Sequence, residues 1–111
     1  MDEILQYEIH YTPSAIQDML DKADYIAYAL KSPETALTWY RELRQDIQQD
    51  LATFPYKYPI YHAEPWERRG VRMMVTGKDI VLYTIDAEKK TVTVHLVCTK
   101  GKNLSDLTLE Q

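Results

Sequence analysis

Four side chains in this sequence are suited to gripping an anion or handling a proton: Arg69, Arg72, Tyr83 and Lys100, with Lys102 just beyond. Arg69 and Arg72 bracket Gly70-Val71 at the start of one strand-like run. Tyr83 lies inside the next run, and Lys100 follows the last. Gathered at one end of a sheet, the cations would hold a phosphate or carboxylate through charge-assisted hydrogen bonds. Arg72 stands within an otherwise apolar run, so its guanidinium needs a partner. If the runs pair in order, Arg72 falls on the middle of the sheet. The plainer alternative for each cation is a solvated surface charge. For Tyr83 it is a core aromatic whose hydroxyl reaches the edge.

The other reactive residue types are sparse. His10 sits on the polar side of an alternating stretch, His62 in a proline-rich connection and His95 among valines and a leucine. No two histidines have metal-ligand spacing, and neither a metal nor a cofactor is expected. His62 and His95 remain candidates for a general base, against the simpler reading of packed or solvated residues. Cys98, the single cysteine, cannot form an internal disulfide, which fits a reducing cytoplasm. Within a strand pattern it reads as a small core residue.

The elements that must position these residues are plain in the patterning. From Gly70 to Lys100, three short runs alternate apolar and polar residues. Gly77-Lys78-Asp79 and Asp86 to Lys90 break them. Connections this short permit only antiparallel neighbours, so the runs form a meander. Upstream, Leu5, Tyr7, Ile9 and Tyr11 alternate with polar residues in a first strand. Thr12-Pro13 then pairs an N-cap with a proline at the first helical position. Ile16, Met19, Leu20, Ala23, Ile26, Ala27 and Leu30 recur at helical spacing. Ser32-Pro33-Glu34 repeats the start signal, and Ala36, Leu37, Tyr40, Leu43, Ile47, Leu51 and Phe54 form the second stripe before Pro55. A two-residue link between amphipathic helices makes an antiparallel hairpin. Its apolar face covers the sheet. Tyr56 to Glu67 is irregular, with tyrosines and Trp66 either pinning the loop or stacking on a partner. The tail from Gly101 carries Leu104, Leu107 and Leu109 in polar surroundings.

A chain of 111 residues makes a single domain over residues 1–111 with one core. No apolar stretch is long enough to span a membrane. The acidic start, Met1-Asp2-Glu3, does not resemble a secretory leader. The net charge of −4 is uneven: residues 1–55 hold four Lys/Arg against ten Asp/Glu, and residues 56–111 hold nine against seven. The mild positive excess of the strand half falls short of a dedicated nucleic-acid binder.

In its order of elements the chain resembles the RelE/ParE superfamily, the toxins of type II toxin–antitoxin modules of plasmid-stabilisation type. Several stretches carry the resemblance: Tyr7-Glu8-Ile9 with Thr12-Pro13-Ser14-Ala15, Tyr25-Ile26-Ala27 with Ser32-Pro33-Glu34-Thr35-Ala36, and Ile47, Leu51 and Pro55. The central strands match through Gly70-Val71-Arg72 and Val81 to Asp86, with arginine and tyrosine in their usual places. The resemblance covers roughly residues 5 to 98. It implies an α+β fold, a helical hairpin packed on an antiparallel sheet of about four strands. It also implies a growth inhibitor held by a cognate antitoxin. Trp39 and Tyr40 would serve such a partner if exposed, and a homodimer is a further expectation.

Two targets come with the resemblance. ParE-type members poison DNA gyrase, whereas RelE-type members cut mRNA on the ribosome. Metal-independent RNA cleavage requires a base for the 2′-hydroxyl, cations for the phosphate and an acid for the leaving oxygen. Arg69, Arg72 and Lys100 would be the cations of an endoribonuclease, with Tyr83 as the strand tyrosine. Ribosome-dependent relatives are expected to finish the site with a tyrosine or histidine near the C-terminus. Lys100 to Asp106 contains neither, which tilts the expectation toward gyrase. A non-toxic relative kept as a binding module is the third possibility.

Overall fold

A computed structural model describes residues 6–99. The chain runs β1 (Glu8–Tyr11), α1 (Pro13–Leu30), α2 (Pro33–Thr53), β2 (Arg72–Thr76), β3 (Asp79–Asp86) and β4 (Thr91–Thr99). Single 3-10 turns at Pro55–Lys57 and Glu67–Arg69 punctuate the long connection before β2. The expected α+β architecture is present: two helices packed on one four-stranded sheet.

Both helix starts form as the capping residues dictate. Thr12 Oγ1 accepts from Ala15 N at 3.0 Å and Ser32 Oγ accepts from Thr35 N at 3.2 Å, each ahead of a proline that has no amide to satisfy. Lys31 turns the corner at φ 50°. Thr12 also ties α1 to β4, its N–H donating to Val94 O at 3.0 Å.

The sheet order is β1-β4-β3-β2. β2, β3 and β4 form the antiparallel meander, with Gly77 at φ 58° making the tight β2–β3 turn. β1 joins β4 in parallel, where an antiparallel partner was expected. The helical hairpin between β1 and the meander provides the crossover that a parallel neighbour needs. The order also corrects the position of Arg72, because β2 is an edge strand rather than a central one. Residues 59–61 shield that edge: Tyr61 N donates to Val71 O at 2.8 Å and Met73 N to Pro59 O at 3.1 Å. Such cover removes a row of open backbone groups.

Each sheet face has its own core. On the helix side Ala15, Met19, Leu43, Ile47 and Leu51 meet Met74, Val81, Tyr83, Val92, Val94 and Val97. On the other side the long connection folds back and lays Trp66, 1% exposed, over Val71, Ile80, Leu82, Leu96 and Cys98. The aromatics therefore pin the loop, and Cys98 is a core residue as expected. Not every residue of the helical stripes faces inward. Ile16, Leu20, Leu30, Leu37 and Phe54 remain exposed.

Candidate functional site

Arg72 opens β2 opposite Tyr83 on β3, so both side chains share the helix-side face just past the end of α2. The half-buried guanidinium donates from Nη1 to the Tyr58 carbonyl at 2.6 Å and lies 5.2 Å from the Tyr56 ring centroid. This is the partner that burial demanded. Tyr83 is fully buried, its hydroxyl donating to Pro55 O at 2.6 Å. Together they clamp the chain as it leaves α2.

Around the clamp, cations and rings alternate. Tyr56 meets Tyr7 edge-on at 6.5 Å, and Lys90 Nζ lies 5.3 Å from the Tyr7 ring. Lys57 Nζ sits 5.3 Å from the Tyr58 ring and 3.6 Å from Asp50 Oδ2, the oxygen that also accepts from Tyr58 Oη at 2.6 Å. Phe54 and Tyr56 stand half-exposed or more at the rim. The result is a cationic, aromatic edge that suits an anionic or planar partner.

Proton transfer is another matter. Burial, reinforced by the bond to Asp50, pushes the Tyr58 phenol up to about 12. Burial also raises Tyr83, against the opposing pull of Arg72. Both phenols therefore hold their protons more firmly than a free tyrosine does. The histidines stand elsewhere. Thr84 alternates with Tyr83 and Ile85, both in the helix-side core, so it faces the opposite side of the sheet. His95 Nε2 lies 2.8 Å from Thr84 Oγ1 on that opposite side. His62 Nδ1 pairs with Glu67 Oε2 at 2.9 Å in the exposed loop, and His10 is 3.5 Å from Glu8. Among the described residues no three His, Cys, Asp or Glu side chains are placed to hold a metal ion.

The remaining sequence candidates separate. Arg69 is exposed on the turn ahead of β2. Lys100 and Lys102 lie outside the described residues, but Thr99, which precedes them, pairs with Asp79. Asp79 in turn faces Thr76 at the far end of β2. Arg72 and the end of β4 are therefore about 13 Å apart along the strand.

That far end holds a cluster that sequence reasoning passed over as a turn. Asp79, only 6% exposed, accepts from Lys22 Nζ of α1 and from Trp39 Nε1 of α2 at 2.9 Å. Lys22 Nζ also lies 5.1 Å from the Trp39 ring, and Thr76 Oγ1 donates to Asp46 Oδ2 at 3.0 Å. One hairpin tip is thereby tied to both helices. An open cleft of about 580 Å³ lies here, walled by Tyr25, Ile26, Trp39 and Leu43 with Glu42 and Asp46 at its rim. The signal available in advance was Trp39, whose indole N–H requires an acceptor once covered.

No family model matches the sequence, and no curated protein sequence matches it. Solved structures do. A chain from the toxin–antitoxin complex RelBE2 of Mycobacterium tuberculosis superposes with TM-score 0.66 at 19% identity, covering 92% of this chain and 100% of that one. A chain from the chromosomal ParDE toxin–antitoxin system of P. aeruginosa gives TM-score 0.66 at 16% identity, covering 85% and 96%. The fold is thus of the RelE/ParE type, as the sequence resemblance implied.

Proposed function

We propose that this protein is the toxin of a type II toxin–antitoxin module and that it poisons DNA gyrase rather than cutting RNA. The toxin reading rests on the fold it shares over most of its length with chains from two toxin–antitoxin complexes. One observation carries the choice of target. Arg72 is engaged by the Tyr58 carbonyl and stands beside the fully buried Tyr83, while His95 lies on the opposite sheet face. A nuclease needs proton transfer at its phosphate-binding arginine; a protein that only binds does not. The Arg72, Tyr56, Lys57 and Lys90 edge serves as the target-binding surface. The cleft beside Trp39 suits a segment of the cognate antitoxin lying along the sheet and helices.

A second reading keeps some support from the same edge. Three cations, Arg72, Lys57 and Lys90, interleaved with tyrosine rings also suit single-stranded RNA, so a ribosome-dependent endoribonuclease centred on Arg72 is the competitor. Primer extension on cellular mRNA separates the two. A gyrase poison leaves transcripts uncut after induction, whereas discrete cuts would overturn the choice of target. Normal growth during soluble expression would favour a non-toxic binding module instead.

A further inference from the structure

Helix α2 keeps its acids and its arginines apart. Glu42, Asp46 and Asp50 recur at every fourth residue and so share one flank. That flank faces the meander. Glu42 and Asp46 border the Trp39 cleft, Thr76 Oγ1 donates to Asp46, and Asp50 accepts from Tyr58 Oη. On the other flank Arg41, Arg44, Gln45 and Gln48 join Tyr11 and Tyr40 around an open pocket of about 390 Å³. β1 runs beside this flank. Tyr11 at its end lies under the Arg44 guanidinium, 4.4 Å from ring centroid to Cζ. Tyr7 N, just ahead of it, donates to Ala52 O at 2.8 Å. Glu8, the one acid of β1, alternates with Tyr7 and Ile9 and so faces the other side of the sheet. No carboxylate borders the pocket. None of the ion pairs among the described residues uses Arg41 or Arg44. Yet these are two of the four Lys/Arg in residues 1–55 of an acidic chain. We infer that the pocket is a phosphate site, taking a phosphate ester between the guanidiniums of Arg41 and Arg44.

Arg44 is already in position for such a ligand. Its Nη1 donates to Tyr40 Oη at 2.8 Å, and the guanidinium lies 5.7 Å from the Tyr40 ring centroid as well as over Tyr11. Little side-chain freedom is left to lose on binding. The groups that act on its charge are Tyr11 and Tyr40, not a carboxylate, so no resident acid has to be displaced. The donors favour phosphate over carboxylate. Two planar forks, the Gln45 and Gln48 amides and the Tyr40 hydroxyl hydrogen outnumber what two carboxylate oxygens accept. The non-bridging oxygens of a phosphate ester can engage both forks at once. Such an ester belongs to a nucleotide, either free or within a strand. A strand has somewhere to continue, because Tyr7, with Lys90 beside it, lies about 13 Å further along β1. The Trp39 cleft is on the opposite flank of α2, and the site needs neither gyrase nor RNA cleavage. The inference therefore stands apart from the choice of target.

Two titrations of the purified chain test it: calorimetry with AMP, and fluorescence anisotropy with a labelled oligothymidylate of about 12 nucleotides, both at about 50 mM salt. At least one ligand is expected to bind with a Kd below about 200 μM. Arg41→Gln and Arg44→Gln should each weaken that binding at least about fivefold and, for the strand, lower the salt slope by about 0.7. Arg44→Lys keeps the charge without the fork and should fall between. Arg68→Gln makes the same charge change in the exposed loop and should alter binding less than about twofold. Far-UV circular dichroism verifies folding, and the exposed Arg41 carries the test if the Arg44 variants fail to fold. A strand that binds at least about tenfold tighter than AMP assigns the ester to nucleic acid, and equal binding assigns it to a free nucleotide; both uphold the site. Absence of binding by either ligand overturns the inference. So does binding indifferent to both arginine substitutions, or an oligoglutamate of equal charge that binds as tightly as the strand.

Discussion

Removing the Asp79 carboxylate is the perturbation with the largest expected effect for its size. In Asp79→Ala, Lys22 loses its counter-charge and Trp39 Nε1 its acceptor. Breaking a buried ion pair from one side costs about 3–5 kcal/mol. The Lys22 side chain is 21% exposed and can turn partly to water, so the expected loss is about 2–4 kcal/mol. Asp79→Asn keeps an acceptor for the indole and loses only the charge, at about 1–2 kcal/mol. Urea unfolding followed by tryptophan fluorescence measures both. With a slope of about 1–2 kcal/mol per molar urea, the alanine variant should unfold about 1–4 M earlier, and the asparagine variant should fall between it and the parent. Combining Lys22→Met with Asp79→Asn should cost at least about 1 kcal/mol less than the two singly, because neither charge is then left alone. Midpoint shifts below about 0.3 M in both single variants of Asp79 would refute its role as the tie between the hairpin tip and the helices.

Other expectations are simpler. Arg72→Ala removes one charge-assisted bond and one ring contact, about 1–2 kcal/mol, so a folded variant that no longer arrests growth is expected; full toxicity would take Arg72 out of the target surface. Tyr83→Phe keeps the ring but leaves the Pro55 carbonyl buried and unpaired, lowering stability by about 1–2 kcal/mol in the same urea assay. Trp66→Ala empties the second core and should cost about 3–5 kcal/mol; a loss under about 1 kcal/mol would mean the loop is not structural cover. Alkali should act through Tyr58. Its raised folded pKa favours the native state while the phenol keeps its proton, so this contribution is whole below the ordinary phenol value near 10. It disappears as pH rises through about 12. Tyrosinate absorbance should therefore show Tyr58 ionising later than exposed tyrosines, and Tyr58→Phe should flatten the loss of stability over that range.

Much of the fold was legible in the sequence because local chemistry and global packing agree there. Thr12-Pro13 and Ser32-Pro33 mark helix starts that form with the expected caps, and period-two alternation marks the meander. The direction of β1 was not legible, since a strand separated from its neighbour by two helices can pair either way. Strand order is likewise a long-range property, which is why Arg72 proved to lie on a shielded edge. The site was read less completely. Tyr83 as a core aromatic and Arg72 as a cation needing a partner follow from residue type and burial pattern. The Lys22–Trp39–Asp79 cluster joins residues from three elements far apart in sequence, and no local pattern announces it. The exposed leucines of the hairpin are a converse lesson. Helical periodicity identifies an apolar stripe but not how much of it the rest of the chain covers.

The measurement closest to the central claim is a gyrase cleavage assay with the purified chain, supercoiled DNA and ATP. Covalent gyrase–DNA complexes should accumulate with the intact chain, fall away with Arg72→Ala, and be suppressed by the antitoxin. If gyrase is untouched while the same preparation cuts mRNA on translating ribosomes, the assignment of gyrase as the target is wrong.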